Sequence, residues 1–151
     1  MAQDPKFEEM KKLVGVKTKP VEYLVEKGHI RRFAEAIGDS NPLWQDEVHT
    51  RQAPLGGIIA PPTFTRALLP SDEDESEPRD PSDRVLDAGS EYEFFGPIKV
   101  GDRITVTSHI ADLYQKQSKS LGTMTFSVKE TNFVNQFGQL VVTRRDTSIS
   151  Y

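Results

Sequence analysis

A chain of 151 residues is long enough for one hydrophobic core and short for two, and no apolar run in it approaches the roughly 18 residues that cross a bilayer. A net charge of −4, with cations scattered rather than gathered in a stripe, excludes a surface built for nucleic acid, because phosphate binding rests on clustered Lys and Arg. The absence of cysteine removes disulfides, thiolate metal ligands and thiol nucleophiles. Residues 1–15 have acids and no apolar stretch before a cleavage site, so they are no secretory signal, and a cytoplasmic protein is expected.

In chain order, residues 5–13 suit a short helix with Phe7, Met10 and Leu13 spaced three apart. Residues 17–25 carry Pro20 and alternate Val21, Tyr23 and Val25, the pattern of an extended edge segment. From 26 to 37 the apolar positions Ile30, Phe33, Ala34 and Ile37 fall at i, i+3, i+4 and i+7, an amphipathic helix closed by Gly38, which suits a left-handed C-terminal residue. Asp39, Ser40, Asn41 and Pro42 then form a turn cluster, with Leu43 and Trp44 as its apolar anchor. Residues 46–52 suit one or two helical turns. Gly56 and Gly57 permit close backbone approach, and Ile58 and Ile59 look like core. Pro61 or Pro62 opens a second helix that runs to about Leu69, with Phe64, Ala67 and Leu68 on its buried side; this helix is expected to be the more buried of the two.

Residues 71–83 have seven acids, one Arg and no apolar side chain, which predicts a solvated, mobile loop. Everything after it reads as strand, over 85–95, 103–114, 121–133 and 139–151, with turns between. Ile104, Val106 and Ile110 alternate with Thr105, Thr107 and His109, and Met124, Phe126 and Val128 alternate with Thr123, Thr125 and Ser127. Long antiparallel strands after a buried helix imply an α+β fold, a curved sheet wrapped around a central helix. No internal repeat or linker divides the chain, so 1–151 is taken as one domain.

The segment GDSNPL, followed by GGIIAPPTF, resembles the MaoC-like dehydratases and (R)-specific enoyl-CoA hydratases, in their N-terminal MaoC-type group, and the similarity extends from Tyr23 to residues 135–138. The resemblance implies a single hotdog fold and dimers joined edge to edge into one sheet. It also implies acyl-CoA or acyl-carrier thioesters bound near the dimer interface, hydration of a trans-2-enoyl thioester or the reverse, no cofactor beyond the thioester substrate, and a place in fatty-acid metabolism. Active members carry a carboxylate and an imidazole in GDxNPxH, a pair suited to general acid–base work. Here Asp39 and Asn41 match, but Trp44 stands at the imidazole position, and indole has no basic nitrogen. Where relatives place a glycine N–H to polarise the carbonyl, this chain has Ala60-Pro61-Pro62, and proline offers no donor.

The resemblance therefore points to the substrate-tunnel subunit of a two-subunit hydratase or dehydratase, working with a catalytic MaoC-like partner. The alternative is a non-catalytic acyl-CoA-binding or regulatory hotdog homodimer. On this resemblance the candidate catalytic residues are Asp39, Asn41 and, as a substitute imidazole, His49; Trp44, Gly57, Ile59, Ala60, Thr63 and Phe64 are the candidate substrate-binding residues. Asp39 and Asn41 are equally readable as turn residues, and His49 as a solvated helix residue. Three scattered histidines without HxH or HExxH spacing give no metal site. A thioesterase is disfavoured because residues 61–69 contain no carboxylate.

Overall fold

A computed structural model of the chain describes residues 4–71 and 83–151. The elements run α1 (Pro5–Leu13), β1 (Val21–Leu24), α2 (Lys27–Ala36), a 3-10 turn (Pro42–Trp44), α3 (Glu47–Gln52), a 3-10 helix (Pro62–Ala67), then β2 (Val85–Phe94), β3 (Arg103–Ser118), β4 (Gly122–Val134) and β5 (Leu140–Ser150). The acidic stretch expected as a loop lies, but for its end residues Ser71 and Asp83, outside the described residues.

The five strands form one antiparallel sheet in the order β1-β3-β4-β5-β2. Tight turns set the two hairpins: between β4 and β5, Asn135 accepts from the N–H groups of Phe137 and Gln139 through Oδ1, and Gly138 takes φ +74°, a conformation costly for other residues. The edge of β3 beyond β1 is covered by the chain after α1, where Gly15 N–H donates to Ile110 O at 2.9 Å and Thr18 N–H to Ser108 O at 2.8 Å. At the opposite edge β2 pairs only with β5 among the described strands.

Register decides which side chains face the helical layer. Val106 lies opposite Phe133, Phe133 opposite Val142, and Val142 opposite Phe94, so these four share one face. Phe133, Val106, Ile104 and Val142 form the sheet's half of the core, and Ile30, Ala34, Trp44, Ile58, Ile59, Phe64 and Leu68 form the other half. Phe33 meets Phe64 edge to face with ring centroids 5.6 Å apart, tying α2 to the 3-10 helix. α1 sits over the far end of the same face, its Met10 buried and its Phe7 and Met10 beside Thr125 and Ser150. Asp4 caps this helix, accepting from Lys6 N–H at 3.1 Å.

Two expectations need correction. The helix opened by Pro61-Pro62 is not an α-helix to Leu69 but a six-residue 3-10 helix that ends at Ala67, and Ala67 is exposed. Two successive prolines supply no N–H, Thr63 and Thr65 are β-branched, and Pro70 disfavours helical backbone at Leu69, so no length remains for i to i−4 bonding. On β4 the alternation holds but its faces are inverted from the one apolar pattern would suggest. Ser127 shares the inner face with Thr131 and Phe133 and is buried, whereas Phe126 lies on the outer face, stacked on Tyr114 with ring centroids 4.9 Å apart. Continuous pairing of β4 with β5 from Phe133 to Thr125 fixes that parity, and tertiary register overrides the local pattern.

Candidate functional site

The site begins at the turn that closes α2. Gly38 takes φ +69°, which lets Asp39 N–H reach back to Ala34 O at 2.9 Å and end the helix. A relay of short polar side chains follows: Asp39 Oδ1 accepts from Asn41 N–H at 3.0 Å, and Asn41 Oδ1 accepts from Leu43 N–H at 3.0 Å. Asp46 then caps α3, accepting from the N–H groups of Val48 at 2.8 Å and His49 at 3.0 Å. The relay fixes the 3-10 turn, and the turn presses Trp44 into the core at 7% exposure.

The segment after Gly57 runs beside the end of β2. Ile59 N–H donates to Leu43 O at 3.3 Å, Ala60 N–H to Ile98 O at 2.8 Å, and Val100 N–H to Ile58 O at 3.1 Å. These bonds clamp the Trp44 turn, the Ile58 to Ala60 segment and the Ile98 to Val100 segment together. Between them opens a cleft of about 350 Å3, within the span of small-molecule pockets. Trp44, Ile59, Ala60, Pro61 and Pro62 form one side, and Phe94, Phe95, Gly96, Pro97, Ile98 and Val142 the other. None of these residues carries a titratable side chain. Phe94 and Phe95, at the end of the β2 edge strand, are 51% and 55% exposed, so the mouth opens toward the β2 edge of the sheet.

Of the residues singled out in the sequence, Trp44, Ile59 and Ala60 come together in this wall. Phe64 is buried in the core at 2% exposure, and Thr63 is exposed on the same 3-10 helix. Gly57 lines a separate depression of about 220 Å3 with Lys27, Glu47 and Arg51. Asp39, Asn41 and His49 line none of these pockets: the two polar residues of the turn are spent on backbone N–H groups, and His49 is exposed on α3. Among the described residues no group of three His, Asp or Glu is gathered that could hold a metal ion. Among the described residues the one resolved electrostatic perturbation is at the separate depression, where the hydrogen bond and charge of Lys27, with a smaller contribution from Arg51, hold the Glu47 carboxyl below its ordinary range.

Sequence reasoning missed the second wall. Its signal was present in Phe94-Phe95-Gly96-Pro97-Ile98, two aromatics at a strand end followed by a turn and an apolar residue. It also missed Arg144, which is 5% exposed and donates from Nη1 to Thr65 O at 3.1 Å, holding the 3-10 helix to the sheet. Arg144 also bonds Asp146 through Nε at 2.8 Å; Asp146 in turn accepts from Ser90 at 2.6 Å and pairs with Arg66 at 3.1 Å. Parity with Val142 marks Arg144 as inward-facing, but only once the register is known.

An antiparallel five-stranded sheet packed on short helices, with an apolar cleft by its β2 edge, defines a hotdog-fold protein. The chain belongs to the MaoC-like dehydratase family: the family model that matches residues 12–144 is described as FAS1-like, dehydratase domain region. A UPF0336 protein of Thermobifida fusca (strain YX) is 32% identical over 129 residues, which cover 82% of this chain and 81% of that one. A MaoC-like dehydratase from Rhodospirillum rubrum superposes with a TM-score of 0.68 at 22% identity, over 91% of this chain and 92% of that one. A chain of the C-terminally truncated HadBC (3R-hydroxyacyl-ACP dehydratase) complex of Mycobacterium tuberculosis superposes with a TM-score of 0.72 at 17% identity, over 91% and 96%. At these identities the two structural likenesses concern the fold. Among the described residues no helix is long and apolar enough to cross a membrane.

Proposed function

We propose that this chain is the substrate-tunnel subunit of a two-subunit, (R)-specific hydratase or dehydratase of enoyl thioesters, and that its partner supplies the acid–base pair. The observation that carries this reading is the cleft itself: it is lined by apolar side chains and backbone, has Trp44 where the resemblance expects imidazole, and holds no group that exchanges a proton near neutral pH. Such a surface can bind and orient an acyl chain and exclude water from it, but cannot activate water for addition at a β carbon. Trp44, Ile59 and Ala60 form the wall of the acyl site in this reading, and Asp39 and Asn41 shape the turn that holds Trp44.

The partner's place is the β2 edge. Ten residues of backbone along that edge have no neighbour strand among those described, and an unpaired edge of this length favours strand pairing with another chain. A strand docked there would run past Phe94 and Phe95 and wall the open mouth of the cleft. The assembly of a structural neighbour as a two-component dehydratase complex accords with a heteromeric arrangement. The carrier is CoA or an acyl-carrier protein, the compartment the cytoplasm, and the reaction needs no metal.

The test is hydration of crotonyl-CoA and a longer trans-2-enoyl-CoA by the purified chain, alone and mixed with a MaoC-like protein encoded beside it. No turnover by the chain alone, with turnover in the mixture, is expected. Turnover by the chain alone at the rate of the mixture would overturn the division of labour; thioester binding without turnover under either condition would instead favour a binding homodimer.

A further inference from the structure

The β2 edge is not uniform along its length. Its pairing with β5 shifts register between Asp87 and Gly89, where Gly89 takes φ +116° and donates its N–H to Asp87 Oδ1 at 2.8 Å. A bulge of this kind bends the strand and interrupts the ladder that a neighbouring strand would need. At the other end Gly96-Pro97 stops the strand, since proline supplies no N–H. The regular part of the edge is therefore residues 90–94, which end at the cleft.

Side chains along this part are sorted by face. Tyr92 and Phe94 lie opposite Arg144 and Val142 on the inner face, whereas Glu91 and Glu93 stand exposed on the outer face. Two rows cross that outer face: Glu91, Arg145, Glu130 and His109, and beside them Glu93, Thr143, Asn132 and Thr107. Arg145 is the one Lys or Arg in either row. It bonds Glu130 at 2.8 Å and reaches Glu93 at 3.9 Å, and His109 lies 4.0 Å from Glu130, on the side away from the edge. Three carboxylates thus share one guanidinium, and the edge keeps an excess of negative charge.

This arrangement treats different occupants differently. Two copies of one edge strand pair antiparallel about a two-fold axis, and residues set opposite one another share a face. An axis through Glu91 or Glu93 sets that residue against its own copy, and an axis through Tyr92 sets Glu91 against Glu93. Moving the axis to Ser90 or Phe94 runs the pair into the bulge or into Gly96-Pro97. Like charges directly opposite destabilise a strand pair, and opposite charges stabilise it. Resting on the reading of the chain as one subunit of a two-subunit assembly, we propose that Glu91 and Glu93 select the occupant of the β2 edge. They repel a second copy of this chain and accept a strand of a different chain that carries Lys or Arg on its outer face opposite them.

Hydrogen exchange of the natural chain, alone and mixed with the MaoC-like protein encoded beside it, locates the seam. Sedimentation equilibrium of the natural chain and of a Glu91→Gln, Glu93→Gln variant, at low and high salt, measures both associations. Slowed exchange of residues 90–94 is expected in the mixture only, and association with the partner should weaken as salt rises. The double variant should bind the partner more weakly and itself more tightly, by about two- to thirtyfold each for two charge pairs. If the variant keeps the natural chain's preference, the two acids do not select and the inference is wrong, while turnover by the mixture still upholds the two-subunit reading. Slowed exchange of residues 90–94 in the chain alone would show that the edge accepts a second copy and would also overturn it. If the two chains neither associate nor turn over substrate together, the inference and the reading both fall. Should the variant fail to fold, the exchange pattern and salt dependence of the natural chain still decide.

Discussion

Replacing Arg144 by Met should loosen the whole site from a position that touches none of it. The guanidinium is buried on the inner face of β5, donates to the Thr65 carbonyl in the 3-10 helix, and pairs with Asp146. Methionine keeps most of the stem's packing, so the loss is chiefly polar. A hydrogen bond from a charged donor is worth about 1.5–3 kcal/mol, and without it the Thr65 carbonyl keeps only the Leu68 N–H, at 3.2 Å. Asp146 suffers less, because Ser90 and Arg66 remain on its carboxylate. The net cost should be about 2–3 kcal/mol, which for a chain of this size lowers the melting temperature by roughly 4–12 °C. Arg145→Met is the control. The Arg145 side chain is 40% exposed on the outer face, where it bonds the 18% exposed Glu130 at 2.8 Å, and because water still reaches the guanidinium its loss should cost less than that of the buried Arg144. Urea unfolding followed by circular dichroism, with calorimetry of both variants, measures the difference. Equal losses for the two variants, or no loss for Arg144→Met, would refute the claim that Arg144 anchors the 3-10 helix.

Asp46→Ala removes the acceptor for two N–H groups at the start of α3 and should cost about 0.5–2 kcal/mol in urea unfolding, with Asp46→Asn restoring most of it. Because Lys27 holds the Glu47 carboxyl below its ordinary value, that group stabilises the fold above its unfolded pKa, and the contribution fades as pH falls through the lower, folded value. The natural chain should therefore lose more stability between neutral and acid pH than Glu47→Gln does; parallel unfolding midpoints would remove the Lys27–Glu47 link between α2 and α3. Phe94→Lys with Phe95→Lys alters two half-exposed side chains, so the chain should remain folded by circular dichroism while association with the proposed partner, measured by sedimentation, is lost. Undiminished association would move the seam away from the end of β2.

How much of this was visible beforehand depends on how local each cause is. Helix α2 and its termination at Gly38 are decided within a few residues, and the spacing of Ile30 and Ala34 and the turn formers from Asp39 to Pro42 announce them. The strands were equally legible, since alternation on β3 appears in the structure as buried Ile104, Val106, Ser108 and Ile110. What local patterns could not give was facing. On β4 the apolar residues Phe126 and Val128 suggest a core-facing set, but pairing with β5 turns Ser127 and Thr131 inward instead. The same pairing buries Arg144 and exposes its neighbour in sequence, Arg145, to the outer face.

The cleft shows why the catalytic candidates and the cleft wall came apart. Polar turn residues and catalytic residues are the same residue types, so GDSNP in isolation serves either purpose, and here the side-chain oxygens of Asp39 and Asn41 are engaged by backbone N–H groups of the turn itself. Trp44 reverses the usual logic: an indole beside Ile58 and Ile59 reads as core, and it is core by burial, yet one face of that core is the wall of a cleft. The prolines carry the remaining distinction. Pro61 and Pro62 shorten the helix behind the cleft, remove two backbone donors from its rim and become part of its lining, so one pair of residues both keeps the central helix to six residues and keeps the cleft apolar. Restoring a donor at Pro62 alone would therefore change the helix as well as the rim, which fits the proposed role of holding an acyl chain for a partner's chemistry better than an oxyanion hole of the chain's own.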